Sequence, residues 1–329
     1  MNNIKPKIVI LTPIKNECWI LDRFLQINSR LADYILLLDQ NSTDNSREIA
    51  ARYPKAVLFS NPSNEYNEAE RQQMLIQKAR ELVPGPRILL ALDADEVFAA
   101  NAPHTQAWQS MLNAEPGTVL YLEKPTFYTT PGHCIRYYSG FPLGYVDDGA
   151  EHKASLIHSV RIPTPPYAKH LYLYDIKILH YGLIRLSAQR SKLRMYCVLE
   201  NLKQTRHLRG RWQFYSSTTD FSKDGDHFEP TRTEWMKGWE DAGIDMSSIT
   251  EQRYYWYDFE VLKLFNKHGT QRFWMDDVWN FDWESCRQYG LSLGIEGIPA
   301  QPLRRPPVLV STAVGAAKKG LNIIYKLIR

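Results

Sequence analysis

The amino-acid sequence predicts an α/β fold, with a mostly parallel sheet flanked by helices and a mainly helical, aromatic-rich C-terminal extension. Two observations lead to this prediction. In about the first ninety residues, short apolar runs alternate with stretches of helical character. From Trp212 onward the sequence is rich in aromatic residues and helical in pattern, with loops between the helices.

Four strands and three helices are predicted in the first part of the chain. The strands are short apolar runs, and their alternation with helices indicates a parallel sheet that is covered on both faces. The predicted strands are Lys7–Leu11, Tyr34–Leu38, Ala56–Phe59 and Arg87–Leu92. The predicted helices are Cys18–Leu31, Ser46–Tyr53 and Glu68–Val83, the last of them ended by Pro84-Gly85-Pro86.

The pattern is less regular after these elements. Strands are predicted at Val119–Leu122 and at Lys177–His180, which ends on its histidine, and a loop-rich segment at Gly140–Glu151. The clearest helices are Ser187–Leu202, Tyr254–Phe265 and Trp283–Tyr289. We therefore expect a sheet domain over residues 1–210, a helical extension over 211–300, and a linker with a basic amphipathic helix over 301–329.

Polar residues follow three of the predicted strands, at the point where each strand ends. They are the segments Thr12–Glu17, Asp39–Asp44 and Asp93–Glu96. Ligands of open parallel sheets bind beyond the carboxyl ends of the strands. The sequence therefore places the carboxylates of Glu17, Asp39, Asp93 and Asp95 on one edge of the sheet.

Asp93-Ala-Asp95 is a D-x-D motif at the end of an apolar strand. Two carboxylates at this spacing suit Mg²⁺ or Mn²⁺, which favour oxygen ligands and bridge to phosphates. The alternative is that these acids cap a helix or form a turn. A second copy, Asp224-Gly-Asp226, has no strand before it, and we interpret it as a solvated turn.

Absent motifs argue against three classes of protein. The sequence has no G-x-G-x-x-G after the first strand, no P-loop and no G-x-S-x-G elbow, so a dinucleotide-binding protein, a P-loop protein and an ordinary α/β-hydrolase are not expected. Its 40 basic and 36 acidic residues give a net charge of +4, which is too balanced to indicate a nucleic-acid partner. The four cysteines form no C-x-x-C pair, so we expect reduced thiols and neither a disulfide framework nor a zinc site.

Targeting signals are also absent from the pattern. No apolar run approaches the roughly 18 residues that a membrane span needs. The apolar stretch Ile8–Leu11 is too short for a signal-peptide core, and no small-residue cleavage site follows it. We therefore expect a cytoplasmic protein.

Three motifs in this order resemble those of family 2 glycosyltransferases. Thr12-Pro-Ile-Lys-Asn-Glu17 resembles the family's opening signature, Asp39-Gln-Asn-Ser-Thr-Asp44 resembles its D-x-x-S-x-D turn, and Asp93-Ala-Asp95 resembles its metal-binding D-x-D. The resemblance covers about residues 5–200. It implies a GT-A fold with a nucleotide-sugar-binding catalytic domain, a nucleotide-diphosphate sugar donor (a UDP-sugar is favoured), and Mn²⁺ or Mg²⁺ as cofactor.

The resemblance also implies roles for individual residues. Those expected to bind the nucleotide are Pro13 and Glu17 beside the nucleoside, Asp39 on the base or ribose, Arg71 on the base or phosphate, and Asp93 on the ribose or metal. Asp95 is expected to ligate the metal. Gln40 departs from the family pattern, because many members have a second acid there.

A late histidine often completes the metal or diphosphate site in this family, and the resemblance implies that role for His180. A neutral imidazole suits Mn²⁺, but a core histidine with satisfied hydrogen bonds is the open alternative. The cations that follow it are candidates to balance a diphosphate, although a solvated helix face is the simpler interpretation of most of them. They are Arg185, Arg190, Lys192 and Arg194.

Inverting sugar transfer needs a carboxylate that takes the proton from the acceptor hydroxyl. Asp147, Asp148 and Glu151 lie in one segment after the D-x-D, and in the family such loops commonly face the acceptor. A hydrophilic surface loop is the alternative. His158 is a further polar residue expected near the same site.

These features together predict a metal-dependent, inverting glycosyltransferase that acts on a hydroxyl acceptor, either a glycan or a lipid-linked molecule, in cell-envelope or polysaccharide synthesis. Two alternatives stay open: a nucleotidyltransferase on a related sheet, and a non-catalytic protein that binds nucleotide sugars. Aromatic residues that could stack on sugar rings are Trp212, Phe214, Tyr215 and Trp235.

The C-terminal segment after Pro307 is amphipathic and carries no acid. Its cations are Lys318, Lys319, Lys326 and Arg329. One interpretation is a helix that lies in the anionic inner face of a membrane as a peripheral contact. The other is a helix that packs back on its own domain with its cations in water.

Overall fold

The structure is a computed structural model that describes residues 5–61, 63, 66–153, 160–216, 219–223 and 225–328, with side chains up to residue 320. The chain divides into two units. Within the described residues, the first unit comprises 5–184 and 222–250, and the second comprises 185–221 and 251–328.

The elements of the first unit begin with alternating strands and helices. In chain order they are β1 (Lys7–Ile14), α1 (Leu21–Leu31), β2 (Tyr34–Asp39), α2 (Ser46–Ala50), β3 (Ala56–Ser60), α3 (Glu68–Leu82), β4 (Arg87–Ala91), β5 (Glu96–Phe98), α4 (Gln106–Leu112), β6 (Thr118–Glu123), β7 (Thr126–Tyr128), β8 (Thr130–Arg136), β9 (Phe141–Val146) and β10 (Lys169–Leu183).

The chain then passes between the two units. The second unit takes α5 (Leu186–Lys203) and α6 (Leu208–Phe214), and the first unit takes β11 (His227–Pro230) and α7 (Lys237–Asp241). The second unit is completed by α8 (Trp256–His268), α9 (Trp283–Ser292) and α10 (Val308–Ile328).

One sheet organises the first unit. Its strand order is β11-β8-β7-β10-β6-β9-β4-β1-β2-β3, and β5 pairs with β10. β3, β2, β1 and β4 are parallel to one another, and β6 is parallel to β10. β9 runs antiparallel to both β4 and β6, between which it lies. The prediction of an α/β fold with a mostly parallel central sheet and a helical C-terminal region is confirmed.

Both faces of the parallel strands are covered, which explains their continuous apolar sequences. On one face, Phe24 and Leu25 of α1 join a large buried cluster with Ile10 of β1. On the other face, Leu75 and Ile76 of α3 pack in a smaller buried cluster. The four predicted strands and the three predicted helices of this region are all present.

The segment predicted to be loop-rich contains strand β9, so that part of the prediction is wrong. Pro142 and Gly144 are residues that usually mark turns, which hid the strand. Gly144 is required by packing, because a Cβ at this position would lie 2.8 Å from Cδ2 of Leu90 and 3.0 Å from Cδ1 of Leu120. A glycine lets β9 fit between β4 and β6.

The strand predicted to end on His180 also differs in the structure. β10 is 15 residues long and continues to Leu183. Its first part pairs with β6, and its later part pairs with β5 and β7. His180 therefore lies within a strand that has neighbours on both sides.

The two units do not follow the predicted division at residues 210 and 300. The helix α5 was expected in the sheet domain but lies in the second unit, together with residues 251–328. Residues 222–250, expected in the helical extension, return to the first unit through β11. Trp239 of this returning segment donates a hydrogen bond from Nε1 to the carbonyl of Phe98 at 2.7 Å.

The second unit is built around aromatic residues. Phe265 of α8 packs against Phe273, Trp279 and Trp283 with ring centroids 5.2–5.3 Å apart. The first part of α10 packs on the same unit, because Val314 is buried and Lys318 forms an ion pair with Asp277. This contact favours the docked interpretation of the C-terminal helix.

None of the helices among the described residues is both long and apolar enough to cross a membrane. The structure also keeps all four cysteines as free thiols, as expected from their spacing.

Replacing Gly144 by alanine should lower the free energy of unfolding by about 1–3 kcal/mol, because the added methyl group overpacks the space between Leu90 and Leu120. Urea unfolding of the full chain measures the change. Gly132→Ala in β8 is the matched control, since a Cβ there meets only Oγ1 of Thr130 at 3.5 Å. Equal stability of the two variants would contradict the packing argument.

Candidate active site

The carboxyl ends of β1, β2 and β4 meet at one edge of the sheet. Leu11 of β1 lies opposite Ala91 of β4, and Ile14 lies opposite Asp39 of β2. The amide of Leu92 continues this pairing, donating to the carbonyl of Leu11 at 3.2 Å. The segments predicted to share an edge, which begin at Thr12, Asp39 and Asp93, therefore do so.

The turn after β2 holds the turn after β1 in place. The backbone amide of Asn16, which has a left-handed φ of 57°, donates to Oγ of Ser42 at 2.9 Å. The amide of Glu17 donates to Oγ of Ser46 at 2.9 Å, and Asp44 accepts the amide of Ser46 at 3.0 Å. Because short polar side chains satisfy these amides, the two motifs form one rigid unit.

Asp39 is enclosed at the base of this unit. Its side chain has no exposed surface, and its Oδ2 accepts a hydrogen bond from Nη1 of Arg47 at 3.0 Å. Its Oδ1 accepts the amide of Ser42 at 3.2 Å. The side chain of Arg47 is 46% exposed, and its guanidinium covers the carboxylate. A nucleoside would reach Asp39 only after Arg47 moves, so this role stays a prediction.

Glu17 and Pro13 lie at the surface of the same turn. Oε2 of Glu17 accepts a hydrogen bond from Nε1 of Trp19 at 2.8 Å, which fixes the carboxylate beside an indole ring. Pro13 is half-buried at the end of β1. Contact of either residue with a nucleoside stays a prediction.

Arg71 begins a second polar cluster on α3. Its Nη1 donates to Oε1 of Gln40 at 3.2 Å, and its guanidinium lies over the ring of Tyr66, 4.5 Å from the centroid. Gln40 and Arg71 are both buried. Gln40 is the departure from the family pattern, and its neutral amide leaves the charge of Arg71 uncancelled by that contact.

A buried acid follows the D-x-D motif directly. Glu96 is fully buried, and it accepts hydrogen bonds from Nη1 of Arg161 at 2.8 Å and from Nζ of Lys124 at 2.9 Å. It also accepts the amide of Asp93 at 2.9 Å. Burial alone would raise the pKa of Glu96, but the charges of Arg161 and Lys124 outweigh it and hold that pKa well below its usual range.

The same arginine orients the first aspartate of the motif. Nη2 of Arg161 donates to Oδ2 of Asp93 at 2.6 Å, so one guanidinium joins Asp93 to Glu96. Charge-assisted contacts of this kind are short and strongly directional. Asp93 therefore has a fixed carboxylate that already carries a counterion.

The second aspartate of the motif faces His180. Oδ2 of Asp95 lies 3.6 Å from Nε2 of His180, and both side chains keep just over a fifth of their surface exposed. Nδ1 of His180 lies 3.0 Å from Oγ1 of Thr126, which fixes the ring from behind. Gly182 leaves room for this ring, because a Cβ there would lie 2.4 Å from Nε2 of His180.

The Asp95–His180 pair fits a divalent cation in part. Among the described residues, no group of three His, Cys, Asp or Glu side chains is arranged to hold a metal. Mg²⁺ is nevertheless commonly held by one or two protein ligands together with substrate phosphates and water. A carboxylate oxygen and an imidazole nitrogen are also donors that Mn²⁺ accepts. The two residues therefore suit a metal that arrives with a diphosphate.

Two of the three predicted bases lie at the wrong edge of the sheet. Asp147 and Asp148 follow β9, which is antiparallel to β4, and the amide of Asp147 donates to the carbonyl of Arg87 at 3.0 Å. Arg87 begins β4, whereas Asp93 follows its end. The separation along the strand is about 20 Å for six residues at roughly 3.3 Å each. The prediction that Asp147 or Asp148 is the base is therefore wrong.

Their contacts show what these acids do instead. Asp147 is buried between Arg80 and Arg87, with N–O distances of 2.7 Å to each. These ion pairs lower its pKa, although burial alone would raise it. Asp148 accepts the hydroxyl of Tyr145 at 2.5 Å, and hydrogen bonds again outweigh burial and lower the pKa. Both acids stabilise the end of the sheet at which β4 begins, opposite the edge that carries the D-x-D motif.

Glu151 lies further along the same segment, which runs beside α3. Arg80, near the end of α3, donates to the carbonyl of Ala150 at 2.8 Å. Two residues later, Nε2 of His152 lies 3.0 Å from Oε1 of Gln72, near the start of the helix. The segment therefore returns toward the edge that carries the D-x-D motif. Glu151 is exposed there, and its role as base stays a prediction.

The cations predicted after His180 belong to the second unit. They are Arg185, Arg190, Lys192 and Arg194. Arg194 is largely buried and pairs with Asp258 at 2.6 Å, so it is not part of a solvated face. His158, the polar residue expected near the base, lies outside the described residues.

The aromatic residues suggested for sugar stacking are mostly engaged in packing. Trp235 is buried in the first unit. Tyr215 is buried in the second unit and donates its hydroxyl to Glu200 at 2.6 Å. Trp212 donates from Nε1 to a backbone carbonyl at 2.7 Å, and the guanidinium of Arg206 lies 4.1 Å from the ring centroid of Phe214. Trp235 and Tyr215 are therefore core residues that expose no ring face to a sugar.

Three residues of the site were not identified from the sequence: Arg161, Lys124 and Glu96 in its charged role. Glu96 directly follows Asp95, so its position gave a signal that an acid lies at this edge. Arg161 lies 65 residues after Glu96 in the chain and Lys124 lies 28 residues after it. No local spacing connects residues so far apart, because only the tertiary structure brings them together.

Comparisons with known proteins give limited likeness. No protein-family model matches the sequence, and no curated protein matches it. A 4-diphosphocytidyl-2C-methyl-D-erythritol synthase structure aligns at 19% identity and a TM-score of 0.29, over 36% of this chain and 61% of that one.

Two solved sugar transferases align over a similar part of the chain. Glucosyl-3-phosphoglycerate synthase from Mycobacterium tuberculosis, solved with Mg²⁺ and UDP, has 19% identity and a TM-score of 0.27, covering 37% of this chain and 44% of that one. Mannosyl-3-phosphoglycerate synthase from Rubrobacter xylanophilus has 18% identity and a TM-score of 0.29, covering 37% and 41%. The chain thus spans less than two thirds of each of these proteins.

The depressed pKa of Glu96 predicts a specific dependence of stability on pH. Because the folded-state pKa lies below the unfolded value of about 4.3, Glu96 stabilises the fold above that pH, and its contribution disappears as pH falls toward the folded pKa. Glu96→Gln should be destabilised by about 3 kcal/mol at neutral pH, since it removes the counterion of Lys124 and one of the two carboxylates paired with Arg161.

Urea unfolding of the wild type and Glu96→Gln between pH 7 and 3 measures this contribution. The difference in the free energy of unfolding between the two proteins should become smaller below about pH 4.3. The matched control is Glu115→Gln, whose side chain is 70% exposed in its pair with Lys169 and should behave as the wild type does. A difference that stays constant across this range would contradict the assignment.

Proposed function

We propose that this chain is a glycosyltransferase that moves a sugar from a nucleotide-diphosphate donor to a hydroxyl group of a glycan or lipid-linked acceptor. A UDP-sugar is the favoured donor. The observation that carries the proposal is the position of Asp95 and His180, side by side at the carboxyl edge of parallel strands. The two turns that resemble nucleotide-binding motifs lie at the same edge.

Different residues of the chain would bind different parts of the donor. Glu17 and the turn after β1 would contact the nucleoside, because that turn is already rigid and ends at the correct edge. Arg71 would contact the base or a phosphate from α3. Arg161 would hold Asp93 in one orientation, so that the donor meets a pre-organised carboxylate.

Asp95 and His180 would hold Mn²⁺ or Mg²⁺. When bound, the cation would supply positive charge that stabilises the diphosphate leaving group. Thr126 would keep the imidazole ring in place through its contact at Nδ1, so that Nε2 faces Asp95. Gly182 would keep the space that this ring occupies.

Glu151 is the remaining acid of the predicted base segment. An inverting reaction would require it to take the proton from the acceptor hydroxyl. Glu151 is exposed, and it belongs to a segment that runs along α3 toward the D-x-D edge. This position supports the assignment. Involvement in cell-envelope or polysaccharide synthesis stays part of the proposal.

A nucleotidyltransferase is the rival enzyme class. It would require a glycine-rich, basic loop after the first strand to hold a triphosphate, and residues 12–17 contain no glycine. The amides of Asn16 and Glu17 are also occupied by Ser42 and Ser46. The two reactions differ in product: sugar transfer releases a nucleoside diphosphate, and nucleotidyl transfer releases pyrophosphate.

Removing either proposed metal ligand should weaken metal-dependent nucleotide binding. Asp95→Ala and His180→Ala should each weaken UDP binding in the presence of Mn²⁺ by roughly 10- to 100-fold, while binding without metal stays unchanged. Isothermal titration with and without Mn²⁺ measures this. Asp226→Ala, in the second D-x-D, is the matched control and should bind as the wild type does. Wild-type affinity in both ligand variants would contradict the proposed site.

Replacing the candidate base should separate binding from catalysis. Glu151→Gln should keep UDP binding. It should lower the rate at which UDP is released from a UDP-sugar, in the presence of a panel of acceptor glycans, by about 10²- to 10⁴-fold. Asp148→Asn is the matched control, because Asp148 lies at the opposite edge of the sheet, and it should keep the wild-type rate. Equal rates in both variants would exclude Glu151 as the base, and pyrophosphate as the product would favour the rival enzyme class.

A further inference from the structure

A cavity of about 250 Å³ lies within the second unit, among α5, the residues before α8 and the segment around 277–281. It is near the lower limit of ligand pockets, which usually measure about 300–1,000 Å³, so it suits a small molecule. None of its lining residues belongs to the candidate active site of the first unit. Its lining includes Ser187, Arg190, Arg194, Arg253, Tyr255 and Phe281.

The carboxylates that line the cavity are already neutralised. Asp258 is almost fully buried and accepts hydrogen bonds from Nη2 of Arg194 at 2.6 Å and from the amide of Tyr255 at 3.2 Å. Asp277 forms an ion pair with Lys318 of α10. Their charges therefore do not oppose an anion in the cavity.

Two arginines remain to supply positive charge. Arg190 of α5 and Arg253 before α8 are both exposed and both line the cavity, and the structure gives neither of them an ion pair among the described residues. The guanidinium of Arg253 lies over the ring of Tyr254 at 5.2 Å, which orients it. Guanidinium groups bind phosphate through two parallel hydrogen bonds, so this pair favours a phosphate group.

The rest of the wall can accommodate a hydroxylated carbon skeleton. Oγ of Ser187 lies 2.7 Å from the hydroxyl of Tyr255, and both oxygens contact the carboxylate of Glu251. Because both hydroxyls donate to Glu251, their oxygens remain as acceptors for the hydroxyl groups of a ligand. The ring of Phe281 is held by Arg194, whose guanidinium lies 3.8 Å from its centroid, and provides an apolar surface beside these polar groups.

From these features we propose that the cavity of the second unit binds a small phosphorylated, hydroxyl-bearing molecule of the size of a sugar phosphate. Arg190 and Arg253 bind the phosphate, and Ser187 and Tyr255 bind hydroxyl groups. Lys318 acts indirectly, because it cancels the charge of Asp277. The proposal does not depend on the glycosyltransferase activity of the first unit.

Isothermal titration of the full chain with glucose 6-phosphate tests this, with glucose as the neutral probe. The wild type should bind glucose 6-phosphate more tightly than glucose. Arg190→Ala and Arg253→Ala should each weaken binding of the phosphate by about tenfold or more. Arg209→Ala is the matched control, since Arg209 is an exposed arginine of the same unit outside the cavity wall, and it should bind as the wild type does.

A second variant tests the electrostatic part of the proposal without removing a contact. Lys318→Met should weaken glucose 6-phosphate binding, because it removes the positive charge that is paired with the carboxylate of Asp277 beside the phosphate. Asp95→Ala should not change this binding, so the result is independent of the proposed function. The proposal is overturned if glucose 6-phosphate does not bind, if glucose binds equally well, or if Arg209→Ala weakens binding as much as the cavity variants do.

Discussion

The buried carboxylate of Glu96 is the constraint on which the candidate active site depends. It joins Arg161, Lys124 and the backbone amide of Asp93 in a place from which water is excluded. Removing an ion from water is costly, and only complete pairing offsets that cost. The groups that meet Glu96 therefore have little freedom, and this lack of freedom carries over to the D-x-D motif beside it.

The pairing pattern of the sheet extends this constraint to His180. Glu96 begins β5, which pairs antiparallel with β10, and in that pairing Glu96 lies opposite His180. The amide of Tyr181 donates to the carbonyl of Asp95 at 2.8 Å. Backbone hydrogen bonds thus position the imidazole against Asp95, while the ion pairs of Glu96 position Asp93. A site organised in this way is largely formed before any ligand binds.

The sequence is sufficient to predict the parallel strands and the polar turns at their carboxyl ends, because an apolar strand followed by a polar turn is a local signal. It was insufficient for β9, where the proline and glycine that usually end a strand instead serve a bulge and a close approach. Without β9, the sequence predicts that Asp147 and Asp148 lie near the D-x-D edge, whereas the antiparallel strand carries them to the opposite edge. Arg161 was missed for a related reason, since its partners are set by tertiary structure.

Gly182 makes positions 180 and 182 depend on each other in which residues they can accept. It lies two residues after His180 on the same face of β10, and the imidazole occupies the volume that any side chain at 182 would need. Substitutions at the two positions are therefore not independent: a larger residue at 182 becomes tolerable only once the histidine has been replaced by something smaller. Among homologous chains, or in a library made by random mutagenesis, glycine at 182 should accompany histidine at 180, and both should change together.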